Sequence, residues 1–206
     1  MKVLLINGSP RREGCTFTAL SIVAEALEEN GVEAEIFQAG GTTKGCLGCG
    51  YCAKNGKCVT DDCVNEALKK LDEVDGIVIG SPVHYAAASG AATSFMDRFF
   101  YAADKSKLVH KVGAAVASAR RAGTTATLDQ LQKYFTISEM PIVSSRYWPM
   151  VHGSNPEQVR EDSEGVQVMR VLGKNMAWLI KCIEAGKKEG IEPPTPEQKV
   201  FTNFIR

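Results

Sequence analysis

The sequence predicts an α/β domain of three layers, α/β/α, with helices on both faces of a doubly wound, five-stranded parallel sheet. Two observations support this fold class. Strand-like and helix-like segments alternate five times along the 206 residues. Residues 76–80 are apolar throughout, as expected of a strand that is covered on both faces. Such sheets most often have the strand order 2-1-3-4-5 and bind ligands at the carboxyl ends of their strands. We therefore expect the functional site in the loops that follow the strands.

The first half of the chain predicts two strands and one long helix. Residues 2–6 are an apolar first strand, and helical spacing of apolar residues predicts a helix from residue 15 or 16 to 30, where Asn-Gly is a typical end. Residues 32–37 alternate apolar and acidic side chains, which is typical of a strand with one wetter face. Residues 38–62 are rich in Gly and Cys without a sustained period, so they predict a long functional loop.

The second half continues the alternation with three more strands. They are predicted at residues 76–80, 111–117 and 139–144. Helices are predicted at residues 63–71, 88–100, 124–135 and 157–186. The remainder contains three prolines and an apolar end. We therefore expect one domain over residues 1–186 and a C-terminal arm at 187–206, which packs on its own core or on a partner chain.

The composition excludes several classes of protein. Lys and Arg number 24, as do Asp and Glu, and this balance argues against non-specific binding of nucleic acid, which needs a positive excess. No apolar run approaches the roughly 20 residues that cross a bilayer, so no membrane association is expected. The N-terminus lacks the longer apolar core of an export signal, and we expect a cytoplasmic protein.

The loop after the first strand, residues 7–16, has the features of a phosphate site. It opens the first helix, where free backbone N–H groups and the positive end of the helix dipole meet. Ser9, Thr16 and Thr18 add hydroxyl donors, and Arg11 or Arg12 adds positive charge. The loop matches neither the nucleotide P-loop nor the dinucleotide glycine pattern, so a phosphate monoester is favoured. The alternative is an ordinary turn before a capped helix.

Two further loops follow predicted strands. Residues 80–86 combine a proline bend with rings and small residues, which suits the wall of a flat heterocycle, and His84 could donate a hydrogen bond or a proton there. A surface or interface histidine is the alternative. Residues 117–124 are small and basic, and Gly123 permits close approach of a ligand, although a solvated turn would have the same composition.

At these positions the sequence resembles the flavodoxin-like NAD(P)H-dependent FMN reductase family. The matching segments are Gly8-Ser9-Pro10-Arg11, Gly80-Ser81-Pro82-Val83, Phe95-Met96-Asp97-Arg98 and Ser118-Ala119-Arg120, in this order over roughly the first 125 residues. Each segment is short, but their order and spacing together are fairly specific. The resemblance implies a flavodoxin-like sheet that binds FMN.

The resemblance also implies which residues bind the cofactor. The FMN phosphate would be held by Ser9, Arg11, Cys15 and Thr16, with Thr18 as a further hydroxyl donor. The isoalloxazine would be lined by Pro82, Val83, His84 and Tyr85, and its far side closed by Ser118, Arg120 and Gly123. One departure is Cys15, where many relatives have Asn. A thiol is a weak donor, so the backbone N–H there would contribute more.

Four of the seven cysteines crowd into one short segment. Cys46, Cys49, Cys52 and Cys58 have the spacing Cys-x2-Cys-x2-Cys-x5-Cys, and in a reducing compartment this predicts metal or redox chemistry. The spacing resembles the compact motif of the iron–sulfur flavoprotein branch of the family, in which four thiolates hold a [4Fe–4S] cluster. A zinc site and a metal-free loop remain alternatives.

Two cysteines outside this segment have separate predictions. Cys63 begins a predicted helix and is either a spare thiol or one with a low pKa. Cys182 lies in the long helical pattern and is expected in the core.

The family resemblance implies a flavin oxidoreductase. NAD(P)H would give hydride to FMN, and the electrons would go to a quinone, a free flavin or a one-electron carrier. The flavin does the chemistry, so no catalytic side chain is expected beyond a role for His84. The alternatives are an iron–sulfur electron-transfer protein that does not oxidise NAD(P)H, and a zinc-stabilised module without flavin. A homodimer or homotetramer is implied. The sequence leaves open the acceptor, the choice between NADPH and NADH, and the oligomer size.

Overall fold

The computed structural model describes residues 1–41, 43–195, 197–198 and 200–202. Its strands are β1 (Lys2–Asn7), β2 (Glu33–Gln38), β3 (Gly76–His84), β4 (Ala87–Ala88), β5 (Val112–Ala119) and β6 (Met150–His152). Among the described residues, five strands run parallel in the order β2-β1-β3-β5-β6, and the short β4 pairs antiparallel with β3. Counted along the chain, the parallel strands have the order 2-1-3-4-5, and β4 is an addition to the predicted sheet.

Helices cover both faces of this sheet. They are α1 (Cys15–Glu29), α2 (Tyr51–Asn55), α3 (Cys63–Lys69), α4 (Gly90–Ala102), α5 (Thr124–Thr136), α6 (Pro156–Glu161) and α7 (Ser163–Lys188), with 3-10 turns at Lys70–Glu73 and Lys105–Lys107. Alternate residues of β1 point to opposite faces: Val3 and Leu5 join the core under α1 and α7, whereas Leu4 and Ile6 join the core under α3, α4 and α5. The three-layer α/β/α fold is therefore confirmed.

Aromatic side chains fix α4 on the sheet. Phe95 and Phe99 are fully buried one turn apart, and their rings stack at 5.4 Å. The Phe100 ring meets that of Phe135 in α5 edge to face at 5.9 Å. Burying each of these rings contributes about 1.5–3 kcal/mol, so the position of α4 is well determined. This matters because both ends of α4 contact functional loops.

The fifth parallel strand is not where the sequence predicted it. Residues 139–144 form only an isolated bridge between Ile142 and Gly113, and the strand is Met150–His152, which pairs with the end of β5. Gly113 bonds to the carbonyl of Pro141 and to the N–H of Val143. Pro141 has no N–H to extend this ladder. The apolar residues of the segment bury Met140 and Val143 in the core without forming a strand.

Other predicted elements differ in detail. The long helix is divided at Asp162, whose Oδ1 accepts the N–H of Gly165 at 3.0 Å and begins α7. The loop predicted at 38–62 contains α2. Cys182 is exposed, so its predicted place in the core is wrong. α7 ends two residues into the predicted arm, and the arm's apolar end is exposed at Val200 and Phe201 and continues at 203–206, outside the described residues.

A search of the described helices finds none with the length and apolar character needed to span a membrane.

Candidate functional site

The loops after β1, β3, β5 and β6 surround a cavity of about 450 Å³ at the carboxyl ends of the strands. This volume is within the usual range for small-molecule sites. The residues lining the cavity are Ser9, Pro10, Arg11, Cys15, Thr16, Pro82, Val83, His84, Ser118, Ala119, Arg120, Gly153 and Ser154. Nine of the twelve residues predicted to bind the cofactor are among them. The structure thus brings the three predicted loops together.

A buried polar network holds the first loop in shape. Asn7 ends β1 with no exposed surface, and its Nδ2 donates to Gln38 Oε1 at 2.7 Å and to the carbonyl of Arg12 at 3.2 Å. Asn7 Oδ1 accepts the N–H of Ser9 at 3.1 Å, and Gln38 Nε2 donates to the carbonyl of Ser9 at 2.7 Å. Satisfied buried networks rigidify the backbone that they join. The loop is therefore organised by the chain itself.

The beginning of α1 is suited to an anion. Its N-cap, Gly14, provides no side-chain cap, and its first turn has no acidic residue. Ser9 Oγ accepts the N–H of Arg11 at 3.1 Å, so its own proton can go to a ligand. Thr16 Oγ1 and Ser118 Oγ lie 2.8 Å apart, and one of these hydroxyls likewise keeps a proton. Hydroxyl donors and the helix dipole therefore converge at one end of the cavity.

A tight hairpin follows the part of β3, Pro82 to His84, that lines the cavity. Tyr85 and Ala86 connect β3 to β4 with φ of 50° and 60°, the left-handed conformation that a tight two-residue turn requires. Gly123 packs against this turn, because an added Cβ would lie 2.7 Å from Ala86 Cα. The side chain of Gln130 accepts the N–H of Ala88 at 3.0 Å. The clamped turn keeps the end of β3 directed at the cavity.

Three predicted residues lie outside the lining. The Thr18 hydroxyl donates to the carbonyl of Gly14 at 3.2 Å and is buried, so it serves the start of α1. Tyr85 is fully exposed at the hairpin tip. Gly123 supports the hairpin from behind. Their assignment to FMN stays a prediction, because they do not line the cavity itself.

Sequence reasoning missed Gly153 and Ser154, which line the cavity after β6. They were missed because the strand before them was predicted elsewhere. A signal was present: β1 and β6 are each followed directly by the dipeptide Gly-Ser, and β3 contains the same dipeptide at residues 80–81. Asn7 and Gln38 were also missed, although their register as neighbours at the ends of β1 and β2 follows from the parallel pairing.

Cys15 is a half-buried thiol at the cavity. Burial raises its pKa above the ordinary value, and its Sγ lies 3.6 Å from the carbonyl of Gly153. The neutral thiol is a weak donor. Backbone N–H groups of α1 are therefore the main donors at this position.

A second, smaller cavity of about 120 Å³ lies beside α4, and all four clustered cysteines line it. Gly48, Gly50 and Gly56 have φ between 62° and 69°, and these left-handed residues turn the segment so that Cys46, Cys49, Cys52 and Cys58 face one space. Arg98, Tyr101 and Ala102 of α4 complete the wall, and no carboxylate of the described residues is part of the lining. This is a soft, all-sulfur donor set, which fits iron–sulfur ligation.

The four cysteines line one cavity without forming a closed site for a single ion. Among the described residues, no three His, Cys, Asp or Glu side chains converge on a point where one metal ion could sit.

Cys63 lies outside this cavity. Burial raises the pKa of its thiol, with Thr43 Oγ1 3.8 Å from its Sγ, so the low-pKa alternative for Cys63 is not supported.

Helix α4 joins the two cavities. Its cap, Ser89, donates from Oγ to the carbonyl of Gly8 at 2.9 Å, and the Ser89 N–H donates to Ser81 Oγ at 2.9 Å. The Arg98 side chain reaches the cysteine segment from the same helix, with Nε 3.2 Å from Cys58 Sγ. Along the helix axis, Ser89 and Arg98 are about 14 Å apart. The larger cavity and the cysteine segment are thus linked by one rigid element.

The fold and the larger cavity define a flavin-binding domain of the flavodoxin type, and the cysteine segment adds a second cavity, which four thiols line. Residues 1–155 match the family described as NADPH-dependent FMN reductase. The chain belongs to that family, and within it to the iron–sulfur flavoproteins; it is an FMN-binding oxidoreductase. The resemblance stated from the sequence is confirmed.

Two relatives and one solved structure document this relationship. An iron–sulfur flavoprotein of Methanocaldococcus jannaschii is 36% identical over 193 residues, covering 89% of this chain and 100% of its own. One of Archaeoglobus fulgidus is 30% identical over 190 residues, covering 87% and 97%. A flavodoxin from the domain Archaea matches with a TM-score of 0.60 at 16% identity, over 88% of this chain and 99% of its own, which confirms the fold.

The Gly40→Ala variant should damage the phosphate loop. An added Cβ would lie 1.9 Å from the carbonyl oxygen of Ser9, so the backbone must move. We expect the dissociation constant for FMN to rise at least about tenfold and the free energy of unfolding to fall by about 1–3 kcal/mol. Fluorescence titration and thermal melting measure these changes. Gly90→Ala is the matched control, because nothing lies within 4 Å of its added Cβ. Equal FMN affinity in the two variants would contradict the role of Gly40.

Proposed function

We propose that this protein takes hydride from NAD(P)H onto FMN and releases the electrons singly, through a [4Fe–4S] cluster held by the four clustered cysteines, to a one-electron carrier. The observation that carries this proposal is the pair of cavities joined by α4. The names of the relatives, iron–sulfur flavoproteins, support the second cofactor. If the cysteine loop carries no metal, a quinone or a free flavin is the acceptor in its place.

The larger cavity accounts for how FMN would be held. The start of α1, Ser9, Arg11 and the Thr16–Ser118 hydroxyl pair provide donors and positive charge for its phosphate. Pro82, Val83 and His84 from the end of β3 present a rigid wall to its ring, and Arg120, just after β5, closes the cavity. Bound FMN would supply the exchange between a two-electron hydride and single electrons. The chain binds, orients and shields it, and the site requires no protein nucleophile.

The cysteine segment accounts for the second cofactor. Cys46, Cys49, Cys52 and Cys58 would each ligate one iron, and Gly48 donates its N–H towards Cys46 Sγ at 3.5 Å. The segment is at the surface, with Cys46 and Cys49 exposed. A cofactor held there is accessible to a partner protein, which supports a one-electron acceptor.

The competing function is an iron–sulfur electron-transfer protein that does not itself oxidise NAD(P)H. Anaerobic mixing of the purified FMN-loaded protein with NADPH or NADH separates the two. We expect the flavin absorbance near 450 nm, about where oxidised flavins absorb, to bleach rapidly with at least one of them. A flavin that dithionite reduces but neither nucleotide does would establish the electron-transfer protein and exclude the reductase.

A homodimer or homotetramer belongs to the proposal as well. Tyr147 and Trp148 stack edge to face at 4.6 Å and are both exposed, which suits a surface that another protomer covers. Light scattering of the FMN-loaded protein measures the mass directly.

A further inference from the structure

Arg98 is the most completely enclosed charged side chain beside the cysteine segment. Its side chain is 1% exposed. The guanidinium forms a forked ion pair with Asp62, from Nη1 to Oδ2 at 2.7 Å and from Nη2 to Oδ1 at 2.8 Å. A buried cation with this many partners has been placed by the fold with little freedom.

The same guanidinium closes the cysteine segment at both ends. Nη1 also donates to the carbonyl of Lys44, just before Cys46, at 3.3 Å. Nη2 donates to the carbonyl of Thr60, just after Cys58, at 3.0 Å. One side chain on α4 therefore joins the two ends of the loop that carries all four cysteines.

The remaining donor of Arg98, Nε, points at a sulfur. Cys58 Sγ accepts from it at 3.2 Å, and among the described residues Cys58 is the one cysteine of the four with a side-chain donor. Cys46 accepts from a neutral backbone N–H instead. Hydrogen bonds to cluster sulfurs and nearby charge are two of the factors that set the potential of an iron–sulfur site.

Asp62 stays ionised in this arrangement. Partial burial acts to raise the pKa of its carboxyl, but the hydrogen bonds from Arg98 and from the N–H of Val64 outweigh burial and hold the pKa below its usual range. The site thus has a fixed cation, Arg98, in contact with the sulfur of Cys58, and a fixed anion, Asp62, on the far side of that cation.

We propose that Arg98 is the positioning residue of the cysteine site: it closes the loop around the cluster and, through Nε on Cys58, makes the cluster easier to reduce. This rests on the cluster in the proposed function. A positive charge and an N–H donor at a ligand sulfur favour the more negative, reduced cluster. Asp62 opposes this effect through its negative charge. The two partners of one ion pair should therefore shift the reduction equilibrium in opposite directions when they are replaced.

The test compares wild type with Arg98→Gln, Arg98→Lys and Asp62→Asn, each reconstituted with ferrous iron and sulfide without oxygen. Iron and sulfide per chain, the rate of cluster loss to a chelator, and the midpoint potential by EPR-monitored titration are measured. FMN affinity reports whether each variant is folded. Asn is itself a good helix cap, so Asp62→Asn should leave the start of α3 intact.

We expect Arg98→Gln to lose its cluster faster than wild type. We also expect the equilibrium constant for reduction of its cluster to fall about tenfold, which lowers the midpoint potential by about 59 mV for one electron. The midpoint potential of Arg98→Lys should lie between those of Arg98→Gln and wild type. The cluster of Asp62→Asn should be easier to reduce than that of wild type. Loss of iron from Arg98→Gln with FMN affinity retained also supports positioning.

Other results overturn the proposal. Shifts of the same sign in Arg98→Gln and Asp62→Asn would show a merely structural ion pair. Unchanged potential and cluster lifetime in Arg98→Gln would show that Arg98 does neither task. A wild-type chain that takes up no iron overturns this inference together with the cluster in the proposed function, whereas iron in wild type with unaffected variants overturns the inference alone.

Discussion

Replacing Ser9 by Ala together with Thr16 by Val is expected to raise the dissociation constant for FMN at least about 100-fold. Ser9 Oγ accepts from the Arg11 N–H and so can donate its own proton to a ligand, and one hydroxyl of the Thr16–Ser118 pair can do the same. A hydrogen bond to a charged group is worth about 1.5–3 kcal/mol, and two such losses multiply. The change is measured by titrating the apoprotein with FMN.

The matched control for this double variant is Ser21→Ala with Thr136→Val. Both hydroxyls in the control donate to carbonyls of their own helices, at 3.0 Å and 3.1 Å, and neither residue lines the cavity. The control should bind FMN as wild type does. An unchanged FMN affinity in Ser9→Ala with Thr16→Val would contradict the assignment of the FMN phosphate to the start of α1.

Replacing Cys49 by Ser is expected to abolish the iron of the reconstituted protein. Cys49 is the middle of the tightly spaced cysteines and is exposed, so Ser at this position should leave the fold intact. A hydroxyl is a poor substitute for a thiolate ligand. We expect iron to fall from about four to below about one atom per chain, and the broad visible absorbance to disappear.

Cys182→Ser is the control for the loss of iron. Cys182 is an exposed cysteine on α7 and does not line the cysteine cavity. It should retain iron as wild type does, and both variants should bind FMN, because the larger cavity is built from other residues. Equal iron in the two variants would exclude the four-cysteine site.

The sequence could predict elements whose patterns are local. The first strand and helix were correct because a buried apolar run and a 3.6-residue period are each visible within a dozen residues. The prediction of the fifth strand was wrong because Met140 and Val143 are buried like strand residues, while Pro141 has no N–H to extend the bridge at Gly113 towards residue 139. Burial is visible in a sequence, but the choice of hydrogen-bond partner depends on the neighbouring strand.

The site residues, too, could be predicted where they belong to a local motif and not where the fold brings distant segments together. Ser9, Thr16 and Pro82 could be found because they follow strands within short motifs. Asn7 and Gln38 are far apart in sequence, and their hydrogen bond exists only because β1 and β2 pair in register. Arg98 lay within a matched segment, yet its contacts with Lys44 and Asp62 depend on the path of a loop without periodicity.

The stiffness of α4 has a consequence for how this protein can vary. Ser89 must face Gly8 and Arg98 must face Cys58. The length of α4 therefore sets both the distance between these two side chains and the angle between their directions around the helix axis. One inserted residue would turn Arg98 by about 100° and carry it away from Cys58, whereas a whole added turn would restore its direction and displace it by about 5.4 Å. Between Ser89 and Arg98, we expect the exposed residues of α4 to vary freely and the number of residues to stay constant.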